Sequence, residues 1–194
     1  MQDGPTHYVI TRDIVATLER RLRLPLSQET ITMIKVLEDA FLEGFWQFTS
    51  PHDEHLALTC EDLGRETEAL LLLEKRPVIS LDDIYFTKGV FEFVSTTRLT
   101  NPYDLDGPTL SGPRPGYASL DEQIATLKSK LGNEQIAIVD VGAYSGSSLI
   151  DTILTFKRFN LPVDKVYLSI GGINPKERTS ARENIGRVIS EDKI

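Results

Sequence analysis

Apolar positions recur at helical spacing through the first 76 residues, and the period changes near Val78. Ile14, Val15, Leu18 and Leu22 share one face of a segment that Thr11 is placed to cap and Pro25 ends. A second helix is predicted from about Ser27, carrying Ile31, Ile34, Leu37, Phe41, Phe45 and Phe48 at helical spacing with Trp46 beside them. Such a stripe belongs to a core or a subunit interface rather than to a cofactor site. Phe41, Phe45 and Trp46 are therefore expected to be buried, against the rest of the chain or in a homodimer. A third helix is predicted from about Glu61 to Lys75, stopped by Pro77.

Beyond Val78 the pattern is that of strands alternating with helices. Val90-Phe-Glu-Phe-Val94 has the apolar and β-branched content of a strand, and residues 101–117 hold so many prolines and glycines that a long loop is expected. Ser119 and Glu122 have capping-box spacing, and Ile124, Leu127 and Leu131 continue a helical face until Gly132. Ile136-Ala-Ile-Val139 is an unbroken apolar run, as in a strand buried on both faces, and it ends in Asp140. Leu149, Ile150, Ile153 and Leu154 mark the next helix, and Lys165-Val-Tyr-Leu-Ser-Ile170 the next strand. This β-α-β order predicts parallel strands with a right-handed crossover. The expected architecture is α/β, with a mostly parallel sheet in residues 77–194 and a helical cap or oligomerisation region in residues 1–76.

A chain of 194 residues suits one generous domain or a small one with a helical appendage. A net charge of −8 argues against general nucleic-acid affinity, which needs clustered Lys and Arg, but leaves room for a small phosphorylated ligand on one polar loop. Cys60 is the single cysteine, so no intramolecular disulfide forms; the opening Met-Gln-Asp-Gly-Pro lacks the regions of a signal peptide, and the apolar run at residues 69–73 is far too short to span a membrane. A cytoplasmic protein without a membrane partner is expected.

The turn after Asp140 carries the most chemistry. Gly142 and Gly146 permit tight turning and close approach to a ligand, and Ser145, Ser147 and Ser148 add hydroxyl donors beside the amides of a helix N-terminus, which is anion-binding chemistry. Arg114 is within the proline-rich loop and able to reach such an anion, although a solvated loop arginine is the ordinary reading. Asp82-Asp83 suits either paired catalytic carboxylates or a solvated turn. His52, His55 and Cys60 match no zinc signature, so no metal site is predicted.

Val139-Asp-Val-Gly-Ala-Tyr-Ser-Gly-Ser-Ser-Leu149 resembles the phosphoribosyl pyrophosphate (PRPP) motif of type I phosphoribosyltransferases, in which an apolar strand ends in two acids and a Ser/Thr-Gly loop follows. The resemblance covers about 35 residues, through the helix and strand that come next. It implies that Asp140 serves catalysis by accepting hydrogen bonds from ribose hydroxyls. It implies too that the ligand lies against Gly142 and Ala143, with its 5′-phosphate cradled by Tyr144, Ser145, Gly146, Ser147 and Ser148. The implied activity is phosphoribosyl transfer to a nitrogenous base, with Mg²⁺ bridging pyrophosphate and ribose oxygens. Val141 stands where the family usually has its second acid, and Phe86-Thr-Lys-Gly89 is the nearest counterpart of a pyrophosphate loop. These departures are compatible with a non-catalytic, nucleotide-sensing regulatory module. Asp140 to Gly146 also resembles the first motif of SAM-dependent methyltransferases, but the following strand ends in Gly171 and Gly172 without the carboxylate that holds the SAM ribose.

Overall fold

The structure, a computed structural model, describes residues 7–49, 53–99, 110–143, 146–171 and 180–189. The chain divides into two compact units, residues 1–63 and 64–194.

The first unit is not purely helical. Strand β1 (His7–Arg12) leads through helices α1 (Ile14–Leu22) and α2 (Gln28–Phe48) to β2 (Glu54–Thr59), and the two strands pair in parallel from His7↔Glu54 to Arg12↔Thr59. Pro25 separates the helices, and the Ser27 hydroxyl caps α2 by accepting from the Thr30 amide at 3.1 Å. Thr11 is a strand residue; Asp13 precedes α1. A two-stranded sheet covers only one side of a 21-residue helix, so α2 buries Ile34 and Leu42 while Phe45 packs edge-on to Tyr8 (5.5 Å between ring centres) and His55. Phe41 and Trp46, expected to be buried, remain 62% and 43% exposed in the chain.

Helix α3 (Cys60–Leu71) spans the boundary between the units. In the second unit, β3 (Val78–Ser80), β4 (Glu92–Phe93), β7 (Ile136–Ala143) and β8 (Val163–Gly171) form a four-stranded, wholly parallel sheet in the order β4-β3-β7-β8. Between β4 and β7 lie the antiparallel pair β5 (Thr97–Leu99) and β6 (Leu110–Gly112), then α4 (Leu120–Leu131). Ser119 and Glu122 form a reciprocal capping box on α4, and Gly132 ends it at φ 62°. Helix α5 (Ser147–Arg158) joins β7 to β8, and α6 (Ala181–Gly186) follows.

Residues 136–139 of β7 are all fully buried, which requires cover on both faces of the sheet. Ile124 and Leu127 of α4, Ile153 and Phe156 of α5 and Ile185 of α6 join Ile136 and Ile138 in one apolar cluster. That cluster fixes where β7 ends and α5 begins. No helix among the described residues is long and apolar enough to cross a membrane.

Candidate functional site at the carboxyl edge of the sheet

After β3 the chain moves outward to β4, and after β7 it moves the opposite way to β8. The two central strands thus part company at their carboxyl ends, and a crevice opens there in parallel α/β sheets. Asp82 and Asp83 follow β3 at this edge, and Asp140 stands within the last turn of pleat of β7.

The β3 side is electrically closed. Asp82 is 3% exposed, and its Oδ1 accepts from the amides of Ile84 (2.6 Å) and Tyr85 (3.3 Å). Its Oδ2 accepts from Nη2 of Arg114, whose Nη1 lies 3.7 Å from Asp83. The Tyr117 hydroxyl donates to Asp83 at 2.9 Å. Arg114 is therefore not a solvated loop residue, and the two acids are not a solvated turn: a buried carboxylate needs a cation or donors, and these three groups satisfy one another.

The β7 side is different. Asp140 is half-buried and receives the Val141 amide on Oδ1 at 2.8 Å. Burial raises its pKa, the Val141 hydrogen bond lowers it, the neighbouring Asp82 charge raises it and Arg114 lowers it; the balance is a value of about 6. Asp140 can thus change protonation near neutral pH, and strongly displaced values of this kind concentrate at functional sites.

Gly142 and Ala143 are strand residues paired with Ile170 and Gly171; a Cβ on Gly142 would meet Ile170 at an ordinary 3.7 Å. Tyr144 and Ser145 lie outside the described residues. Gly146 precedes α5 with φ 78°, and a Cβ there would come within 3.0 Å of Ile185 and 3.3 Å of the Ala181 carbonyl. The glycine is required by the close approach of α6, independently of any ligand. Ser147 begins α5, and the Ser148 carbonyl accepts from Ser111 (2.6 Å) and Thr152 (2.9 Å), so β6 is pinned onto the first turn of α5. That turn carries no acidic residue, and Gly146 brings no side chain to cap it; its amide end retains the positive pole of the helix dipole.

The segment Phe86–Gly89 is filled from within. The Glu68 carboxylate accepts from the amides of Thr87 (2.8 Å) and Lys88 (3.0 Å) and from the Thr87 hydroxyl. Burial pushes the Glu68 pKa up, but these bonds and the Lys88 charge outweigh it and hold the group below the usual range. Gly89, at φ 73°, lets the loop approach α3 where a Cβ would sit 2.8 Å from Leu71.

Of the two histidines that match no zinc signature, His52 lies outside the described residues. His55 stacks on Tyr8 and shares a 2.6 Å hydrogen bond with Thr49. Among the described residues, no group of three His, Cys, Asp or Glu is placed to hold a metal ion.

Sequence reasoning assigned Asp140 but discounted Asp82, Asp83 and Arg114. A signal was present: Val78-Ile-Ser-Leu81 is an apolar run ending in carboxylates, as is Ile136–Asp140.

The fold and this edge define an α/β protein with a four-stranded parallel sheet and three acids, Asp82, Asp83 and Asp140, near its strand switch. The chain matches no protein-family model, and no match was found among curated proteins or solved structures.

Proposed function

We propose that the carboxyl edge of the sheet binds a phosphorylated ribose compound. Asp140 accepts hydrogen bonds from the ribose hydroxyls, and the turn of Tyr144, Ser145, Gly146, Ser147 and Ser148 receives the 5′-phosphate at the amide end of α5. The observation that carries this reading is Asp140 itself: a carboxylate near the switch of a parallel sheet, on the strand that precedes an acid-free helix N-terminus, with its pKa raised to about 6. A diol offers the two donors that a half-desolvated carboxylate lacks.

In the enzymatic form of this reading the ligand is PRPP. The bond from ribose C1 to pyrophosphate oxygen breaks, a bond from C1 to a base nitrogen forms, and the base nitrogen's proton leaves. Asp140 contributes positioning and negative charge near a developing oxocarbenium centre. Mg²⁺, where the ligand brought it, would find an oxygen donor in Asp140, the donor type that ion takes, and would supply charge neutralisation for the departing pyrophosphate.

A second reading, a nucleotide-sensing module without transfer activity, is favoured by Glu68. Its carboxylate occupies the Thr87 and Lys88 amides of the one segment resembling a pyrophosphate loop. Calorimetric titration with ribose 5-phosphate, PRPP and nucleoside 5′-monophosphates tests the shared core of both readings, with dissociation constants expected between micromolar and millimolar. Absence of heat and of any thermal shift with all three classes removes both. Binding of PRPP without pyrophosphate release in the presence of bases favours the sensor.

A further inference from the structure

The helix α2 is apolar on two sides, and within the first unit only one of them is covered by the described residues. Ile34, Leu42 and Phe45 face inward. Met33, Val36, Leu37, Phe41 and Phe48 are 61% to 91% exposed. At 3.6 residues per turn, Met33, Leu37, Ala40, Phe41, Gly44 and Phe48 fall on one stripe, while Lys35, Asp39 and Glu43 fall on another arc. The stripe therefore carries no charge along its whole length, although the chain as a whole is acidic.

Its order of side chains is self-complementary. Rotated by a two-fold axis passing between Ala40 and Phe41, an antiparallel copy of the stripe brings Phe41 onto Ala40, Leu37 onto Gly44 and Met33 onto Phe48. Each of the first two pairs sets a large side chain against a small one, and the third sets a thioether against an aromatic ring. Space is available at Gly44, where a Cβ would have nothing within 4 Å. The exposed parts of Met33, Leu37, Phe41 and Phe48 amount to roughly 550 Å² per copy, against the approximately 500 Å² per partner that a specific interface needs at minimum. An apolar patch of that size is at the upper end of what a monomer exposes to water.

We propose that this stripe of α2 is a homodimer interface, in which two copies pack α2 against α2 antiparallel about a two-fold axis at Ala40 and Phe41. The pairing is isologous, so each copy's large residues fill the other's small positions and the assembly closes at two. Helices come close enough for such packing where the crossing point has small residues, and Ala40 and Gly44 provide them on adjacent turns. Phe45, which packs on Tyr8 and His55, is outside the interface.

Sedimentation velocity of the full chain between 1 and 100 µM tests this directly: a dimer is expected. Phe41→Asp is expected to give a monomer with unchanged circular dichroism, because the side chain it alters is mostly exposed. Gly44→Leu is expected to raise the dissociation constant at least tenfold, and Glu43→Lys, on the polar arc, to leave it unchanged. Should Phe41→Asp misfold, Ala40→Cys in a Cys60→Ser background decides the matter, since residues on the axis cross-link on oxidation and residues far from it do not. A parent chain that stays monomeric at 100 µM overturns the proposal, as does a dimer that survives both Phe41→Asp and Gly44→Leu, or an Ala40→Cys dimer that fails to cross-link.

Discussion

Strands β3 and β7 lie side by side with carboxylates near the carboxyl end of each, yet these acids do opposite things. At the end of β3, Asp82 is saturated by two amides and Arg114, and Asp83 shares that cation and the Tyr117 hydroxyl. On β7, Asp140 has the Val141 amide and feels both the Asp82 charge, which raises its pKa, and Arg114, which lowers it. The difference separates two uses of an acid: Asp82 ties loops together, while Asp140, with the Val141 amide as its donor among the described residues, is the acid that the proposed function gives to a ligand.

Removing the cation should disturb this contrast most. Arg114→Ala strips the charge partner from buried Asp82 and adds to the field that already disfavours ionised Asp140. A loss of about 3 kcal/mol in unfolding free energy is expected, at the low end for a broken buried pair because the guanidinium is partly exposed. Urea denaturation measures it, and a loss under roughly 0.5 kcal/mol would mean that the β3 acids rely on their amides alone.

Neutralising the other acid should act in the opposite direction. The folded pKa of Asp140, about 6, lies above its ordinary 3.8, so the native state holds a proton that the unfolded chain has released between those values. Stability linked to this group is complete below the lower value and is lost as pH rises through the upper one. Asp140→Asn keeps an acceptor for the Val141 amide and removes the charge. It should stabilise the protein by about 2 kcal/mol at pH 8, a figure reduced for the group's partial exposure, and by nothing at pH 3.5. The same variant should weaken ribose 5-phosphate binding at pH 8 at least tenfold. A variant that binds like the parent places the sugar elsewhere.

The turn into α5 allows a smaller and more selective test. Gly146→Ala adds a Cβ at positive φ against Ile185, with an expected loss of about 1 to 2 kcal/mol. Gly146→Val should weaken ligand binding more than Ser147→Ala, which removes one donor among several. If Ile185→Ala restores the stability of Gly146→Ala but not its affinity, the glycine serves both α6 and the ligand. Restoration of both would reduce it to a packing residue. The smallest effect expected is that of Tyr117→Phe, about 1 kcal/mol by thermal or chemical unfolding, because it removes one hydrogen bond from Asp83 and leaves the Arg114 charge in place. An effect larger than that of Arg114→Ala would reverse the roles assigned to the two residues.

The stretch from α4 to β8 was legible in the sequence because its signals are local. Four consecutive buried residues, a Ser119 capping box and a helix-breaking Gly132 each act within one element. The strands of the first unit were not legible. Glu54-His-Leu-Ala-Leu-Thr59 has weak strand character, and it is strand only because β1, far away in the chain, supplies its hydrogen-bond partners. The same holds for the closed end of β3: Arg114 and Asp82 are 32 residues apart, and no local pattern tells a solvated arginine from one folded back over the sheet. Asp140 was recognisable by its position after an apolar run, but its raised pKa depends on Asp82 across the strands. For Gly146 the residue was noticed and a structural reason was missed, since the atom beneath it belongs to α6.

The grip of Glu68 on the Thr87 and Lys88 amides has a consequence for selectivity. A carboxylate delivered by the chain's own helix competes at an effective concentration of millimolar or above, without the entropy loss of capturing a free ion. Simple anions present at similar concentrations and offering a single contact do not displace it. On the proposed function, a polyphosphate that also engaged the α5 turn would meet the same competitor with two attachments, and its second contact would be intramolecular once the first was made. The segment at residues 86–89 would thereby discriminate by the number of anchors a ligand carries rather than by its charge.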